Sequence, residues 1–194
     1  MSKKPVGILL ASGHSRRFGS NKLLHPVDGD TGMLFITAKK LCSVLPGCIV
    51  VISQELLPYQ SQLEQLGASI VINEHAHKGM GSSIACGIQA SSEACGWLIA
   101  LADMPYVKTA TLTQLAEALQ AGADIVAPSY RQQRGNPVGF NPRYKQQLLS
   151  LNQDIGARDI IARHQDKLQL IPTTDASVTT DIDQPSDIID VQKN

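Results

Sequence analysis

Short apolar runs alternate with helically spaced apolar positions along most of the chain. Val6–Leu10 is almost continuously apolar, the pattern of a parallel strand buried on both faces. Thr31–Leu45 places Leu34, Ala38, Leu41 and Leu45 on one helical face, and Pro46-Gly47 stops it. Strands are expected at Ile49–Ile52, Ser69–Ile72, Trp97–Leu101 and Ile125–Ala127. Between them fall helices at Leu57–Leu66, at Met80–Ser92, and over Leu112, Leu115, Ala116 and Leu119, the last capped by Thr109 or Thr111 and closed by Gly122. The final third is less regular: a strand at Gly139–Phe140, helices at Pro142–Leu149 and Ile155–His164, a strand at Leu168–Ile171, and a terminal helix at Pro185–Val191. Five strand–helix alternations predict a three-layer, doubly wound α/β fold on a mostly parallel sheet.

With 194 residues and neither repeat nor linker, one domain is expected. No stretch approaches the roughly 20 apolar residues needed to span a bilayer, and the run at Val6–Ala11 is too short for a signal segment. Cys42, Cys48, Cys86 and Cys95 contain no C-x-x-C pair and read as reduced core residues of a cytoplasmic protein. Lys plus Arg and Asp plus Glu each total 17, a balance that argues against nucleic acid as a partner. The distribution is uneven. Lys3, Lys4, Arg16, Arg17 and Lys22 crowd the start, and Asp175, Asp181, Asp183, Asp187 and Asp190 the end, an acidic run that a solvated face would also explain.

In an open parallel sheet, ligands sit beyond the carboxyl ends of the strands. The loop after the first strand, Leu10-Ala11-Ser12-Gly13 through Lys22, begins with small residues that let backbone N–H groups approach a ligand, and Arg17 and Lys22 supply charge for a polyphosphate. It is not a Walker loop, because Gly13 and Gly19 enclose five residues and Ser20-Asn21 precede Lys22. Gly79-Met80-Gly81-Ser82-Ser83-Ile84 lacks the third glycine of a dinucleotide fingerprint. Leu98–Leu101 delivers Asp103 at a strand end, suited to a hard cation such as Mg²⁺. In Thr180-Asp181-Ile182-Asp183-Gln184-Pro185, strand-like alternation puts Asp181 and Asp183 on one face, so either can complete a metal site. His75 and His77 have a metal-binding spacing but no evident third ligand, and read as exposed loop histidines. A G-x-S-x-G elbow is absent.

Four segments occur together and in order: Gly7–Gly13 continuing to Arg17-Phe18-Gly19 and Lys22-Leu23-Leu24; Gly79–Ile84; Leu101-Ala102-Asp103-Met104-Pro105; and Asp181-Ile182-Asp183-Gln184-Pro185-Ser186-Asp187-Ile188. Together they resemble the molybdenum cofactor nucleotidyltransferases, most closely the cytidylyltransferase branch, across essentially the whole chain. The resemblance implies a glycosyltransferase-A-like nucleotidyltransferase fold with a nucleotide-binding part at about 1–107 and an acceptor-binding part at about 108–194. It implies transfer of CMP from CTP to the phosphate of molybdopterin, with Mg²⁺ as cofactor and release of pyrophosphate. By likeness, Leu10, Ala11, Ser12, Gly13, Gly81, Ser82 and Ser83 hold the base and ribose, and Arg17 and Lys22 the triphosphate. Asp103 with Asp181 or Asp183 holds the metal, and Asn136, Pro137 and Arg158 face the acceptor. Arg17, Lys22 and Asp103 are then the catalytic set. A molybdoenzyme or its insertion chaperone would receive the product.

Two positions depart from the branch. Ser12 stands where an alanine is more usual, and Asn136 where relatives often carry His. Both bear on specificity, so GTP in place of CTP, or a sugar or polyol phosphate as acceptor, stays open. A non-catalytic carrier of the cofactor is the alternative of another class.

Overall fold

The computed structural model describes residues 4–13, 21–152 and 156–188. In chain order its elements begin with β1 (Val6–Ala11), the short ribbon β2 (Pro26–Asp28) and β3 (Thr31–Gly32), α1 (Met33–Val44) and β4 (Ile49–Ile52). They continue with α2 (Gln60–Gln65), β5 (Ser69–Ile72), α3 (Met80–Ala90), β6 (Trp97–Leu101), α4 (Thr109–Gln120), β7 (Ile125–Tyr130), β8 (Gln133–Arg134) and β9 (Val138–Phe140). The last are α5 (Lys145–Leu149), α6 (Arg158–Arg163) and β10 (Leu168–Pro172).

The main sheet runs β10-β7-β9-β6-β1-β4-β5, with β8 paired to β7. All neighbours on the path are parallel except β9, which is antiparallel to both β6 and β7. The expected α/β architecture is present, but β7 does not lie beside β6: the short β9 is inserted between them, an arrangement that local periodicity cannot specify. The sheet continues across residue 107, so the residues before and after it share one set of strands.

Alternation along β1 sorts the core into two layers. Leu9 and Ala11 pack on the α1/α4 side with Leu34, Leu41 and Leu115. Ile8 and Leu10 face α3, with Ile84, Ile88 and Trp97. Close approach of α3 to β1 depends on Gly87, where an added Cβ would lie 2.7 Å from Ile8 Cγ2.

Three local expectations need correction. Cys42 and Cys48 are joined in a disulfide; α1 ends at Val44 and the chain turns straight into β4, bringing their Cα atoms to 5.3 Å. Cys86 and Cys95 are free thiols and only half-buried. Neither Thr109 nor Thr111 caps α4. Lys108 holds the cap position, and the Asp175 carboxylate, from far along the chain, accepts from Lys108 N and Thr111 Oγ1, both at 2.8 Å. Near the C-terminus the described helical structure is a single turn at Pro185–Asp187, and residues 189–194 lie outside the described set. Among the described residues no helix is long and apolar enough to cross a membrane.

Candidate active site

The strand order turns at β1. From β1 the chain proceeds to β4 and β5 on one side, then crosses to β6 on the other. Diverging connections at such a point leave a crevice at the strand ends. Leu10 pairs with Leu101, and Ala102 N donates to Leu10 O at 3.1 Å, so the Ser12-Gly13 and Asp103 loops emerge side by side.

A cleft of about 450 Å³ opens there, lined by Leu10, Ser12, Gly13, Lys22, Ser83 and Asp103 among others. Its opposite wall is the segment Ala76–Met80; of it, the sequence showed Gly79-Met80 as the start of the Gly79–Ile84 motif and His77 as an exposed loop histidine, but named none of these as a site residue. Gly79, with φ 94° and ψ −173°, makes the turn into α3, and the N-terminal end of that helix opens on the cleft without an acidic residue or side-chain cap in its first turn.

Buried Asn73, at the end of β5, organises this wall. Its Nδ2 donates to Ser82 Oγ (2.9 Å) and Ser83 Oγ (3.0 Å), and its Oδ1 accepts from His75 N (2.9 Å). Ser83 Oγ in turn hydrogen-bonds Ser12 Oγ, tying the first loop to α3 across the cleft floor. The Ser82 hydroxyl lies 2.8 Å from Gly79 O and faces away from the cleft, so of the expected Gly81-Ser82-Ser83 group only Ser83 lines it. Ala11 and Gly81 are buried behind it. Asn73 was legible only as a polar residue directly after a strand, at the sheet end where ligands bind.

At the mouth of the cleft the acidic residues converge. Ligand atoms of Asp103, Asp181 and Asp183 all lie within 4.8 Å of one another. Asp103 is held by its surroundings: Ile182 N donates to Asp103 O (2.9 Å), Thr37 Oγ1 to Ala102 O (3.1 Å), and Lys40 Nζ to Pro105 O and Val107 O. Ile182 is fully buried between two exposed aspartates, the alternation that puts both carboxylates on the Asp103 side. Asp187 accepts from Asp183 N and Gln184 N, and fixes the turn that carries Asp183.

Lys22 sits among these groups. Its ammonium donates to Asp103 Oδ2 (2.9 Å), Asp183 Oδ1 (2.9 Å) and Ile182 O (3.0 Å). Burial disfavours that charge, but Asp103, with Asp183 behind it, outweighs burial and holds the ammonium above its ordinary pKa. Burial pushes the Asp103 carboxyl up, Lys22 opposes the rise, and the Asp181 charge adds to it. An all-oxygen donor set already gathered around one cation fits a magnesium-class ion. Arg17 lies outside the described residues.

On the acceptor side, Asn136 is half-buried, and its N–H donates to Val178 O (2.8 Å). Pro137 is buried in a small apolar recess with Thr37, Leu41, Met104 and Leu112, so it shapes the wall rather than presenting a side chain. Arg158 opens α6 and is exposed. Arg134, at the start of the segment expected to face the acceptor, has its guanidinium pKa lowered, by burial first and by the Arg158 charge second.

The sequence matches the MobA-like NTP transferase domain over residues 7–168, well over half its length. The chain belongs to the MobA-like NTP transferase family. Among its relatives are the purine catabolism protein PucB of Bacillus subtilis (strain 168), 28% identical with 94% of this chain and 93% of that protein aligned. Another is the nicotine blue oxidoreductase of Paenarthrobacter nicotinovorans, 26% identical over 92% and 91% of the two chains. The Mycobacterium tuberculosis H37Rv protein Rv0371c, solved in complex with manganese, superposes with a TM-score of 0.76 at 21% identity, covering 95% of this chain and 96% of that one. The fold is thus the α/β nucleotidyltransferase-like fold, and the chain is a member of a nucleotidyltransferase family.

Proposed function

We propose that this protein transfers CMP from CTP to the terminal phosphate of molybdopterin and releases pyrophosphate. The observation that carries the reading is the convergence of Asp103, Asp181, Asp183 and Lys22 at the mouth of the cleft formed by the first loop and α3. Base and ribose lie along Ala11–Gly13 and Ser83, with Ser12 able to donate to or accept from the base edge. Residues to about 107 form the nucleotide side and those from about 108 the acceptor side.

The nucleophile is an anionic phosphate oxygen, so no strong general base is needed. It attacks the α-phosphorus in line, the new P–O bond forms, and the bond to the β-phosphate breaks with pyrophosphate as leaving group. Lys22 and Arg17 hold the triphosphate, and their charge neutralises what builds up on the leaving group. Arg158 and Arg134, whose charges act on one another, receive the anionic acceptor. Asp103, Asp181 and Asp183 would hold Mg²⁺, which when bound supplies Lewis-acid stabilisation at the α-phosphate. That the mycobacterial protein of the same fold was solved in complex with manganese supports a divalent ion as cofactor. A molybdoenzyme or its insertion chaperone would take up the product, and the cytoplasm is the compartment in which this exchange is expected.

The test is pyrophosphate release with Mg²⁺ and molybdopterin across CTP, GTP, ATP and UTP. CTP is expected to be the substrate. Release with GTP instead would reassign the base, and release only with a sugar or polyol phosphate would reassign the acceptor. Tight nucleotide binding with no turnover on any acceptor would make the protein a carrier.

A further inference from the structure

Between β6 and α4 the chain passes through residues 102–108 without helix or strand, and Asp103 lies on this stretch. Irregular backbone leaves carbonyls that no ladder or helix satisfies, and where they turn inward they need donors from elsewhere. Three of these carbonyls are met by one stripe of α1. Thr37 Oγ1 donates to Ala102 O at 3.1 Å, and Lys40 Nζ donates to Pro105 O at 2.6 Å and to Val107 O at 3.1 Å. Residues three apart share a helix face, so one rigid surface grips the loop on both sides of Asp103.

Packing alone does not call for a lysine there. Leu34, Ala38 and Leu41 on the same helix are fully buried, and Lys40 lines a small apolar recess with Leu41, Met104, Val107, Leu112 and Pro137. Burial pushes the Lys40 pKa down, against the pull of the Asp175 charge. An apolar side chain would fill the recess without that cost; what the ammonium adds is a hold on two carbonyls at once. The helix that carries it is itself anchored, because Cys42, just beyond Lys40, is bonded to Cys48 at the head of β4. Asp103 is the half-buried member of the carboxylate trio, and Asp181 and Asp183 are exposed. Its position is therefore the one set by the backbone, and its own carbonyl accepts from Ile182 N, between the other two. A misplacement of about 1 Å at a reacting group can cost on the order of 100-fold in rate.

We propose that Lys40 is a positioning residue for the reaction: from α1 it clamps the two carbonyls downstream of Asp103 and so sets where that carboxylate meets the divalent cation. It governs turnover and metal affinity, and leaves the contacts of the nucleotide with the first loop and α3 alone. This rests on the metal assignment made above, but not on the identity of base or acceptor.

The experiment compares wild type with Lys40→Met, which keeps the stem and removes the donors, and with Lys40→Arg, which restores a charged donor able to reach two carbonyls. Mn²⁺ affinity of the nucleotide-free protein is read by electron paramagnetic resonance of the free ion, and kcat and KM by pyrophosphate release, all well below the Tm of each variant. Lys40→Met is expected to lose at least about tenfold in kcat and in Mn²⁺ affinity, with KM for the nucleotide within about twofold of wild type. Lys40→Arg is expected to recover most of both. Lys40→Gln takes the place of the methionine variant if that one folds poorly. A lowered Tm with wild-type kcat and Mn²⁺ affinity is the signature of a lysine that only stabilises the fold, and overturns the proposal. A rise in KM at unchanged kcat, or a loss that Lys40→Arg shares in full, overturns it as well. If Mn²⁺ affinity falls as expected but wild type turns over no nucleotide, the transferase reading is lost and the positioning role stands. If wild type binds no Mn²⁺, the metal assignment falls and the positioning role falls with it.

Discussion

Asp175 is 2% exposed and ties α4 to the segment that leads to Asp181 and Asp183. Its carboxylate accepts from Lys108 N and Thr111 Oγ1 at 2.8 Å, from Ser177 N at 3.3 Å, and from the Ser177 hydroxyl. Asp175→Ala strands the buried Thr111 hydroxyl and uncaps α4, whereas the more accessible Ser177 groups can turn to water. Hydrogen bonds to a charged group contribute about 1.5–3 kcal/mol each, but bonds sharing one acceptor do not add. The expected loss is therefore ~3 kcal/mol, or about 6–12 °C in Tm for a chain of this size. The effect is also pH-dependent. Burial raises the Asp175 pKa, but the bonds from Ser177, Lys108 N and Thr111 outweigh it, leaving the carboxyl below its ordinary value. A depressed carboxyl stabilises the fold above its unfolded pKa of about 3.9, and that contribution is lost as pH falls through the lower folded value. Urea unfolding of wild type and variant should show a gap that is flat above about pH 5 and narrows below about pH 4. A difference under about 1 kcal/mol at pH 7, or a gap that widens in acid, would refute the reasoning.

Asp103→Asn should lower kcat by at least about 100-fold, since it removes a group aimed at developing charge, while leaving Tm unchanged or raised, because burial already strains this carboxylate; activity within twofold of wild type in the pyrophosphate assay would sink the metal assignment. Gly87→Ala puts a Cβ 2.7 Å from Ile8 Cγ2 and 3.2 Å from Val51 Cγ2, both in the packed core, and cannot be absorbed there. The clash, about 1–3 kcal/mol, exceeds the gain of about 1 kcal/mol from helix propensity, so chemical denaturation should report a net loss. KM for the nucleotide should rise as Ser83 moves from Ser12. Chelation by EDTA should abolish turnover yet leave the Tm of nucleotide-free protein unmoved; a fall in Tm would mean that a metal is part of the resting fold.

The central strands were legible because each is a short, nearly continuous apolar run: Val6–Ala11, Ile49–Ile52 and Trp97–Leu101 differ from the reading by at most one residue, whereas β8, Gln133–Arg134, has no apolar residue to announce it. Pairing was not, because it is settled by contacts far apart in sequence. The insertion of β9 turns on Gly139, where a Cβ would meet Leu119 at 2.6 Å, and nothing around Val138–Phe140 announces that neighbour. The α4 cap failed for the same reason: Thr109 and Thr111 are good local candidates, but a carboxylate 64 positions away in sequence from Thr111 competes better, since it carries full charge. The Cys42–Cys48 bond likewise depends on how tightly α1 turns into β4.

For the site, residue type and motif order pointed to Ser12, Lys22, Ser83, Asp103, Asp181 and Asp183, which the fold brings together, and because Ile182 between them is buried, both Asp181 and Asp183 lie within 4.8 Å of Asp103. What sequence does not carry is which charges meet first. Lys22 was assigned to phosphate because it follows a glycine loop, yet the nearest anions to its ammonium are the protein's own carboxylates. A chain with equal numbers of acidic and basic residues satisfies its charges internally wherever the fold allows. Here the fold allows it at the mouth of the cleft, where Lys22 meets Asp103 and Asp183, two residues far from it in sequence, so the pairing follows from the topology that brings the strand ends together and not from any local pattern.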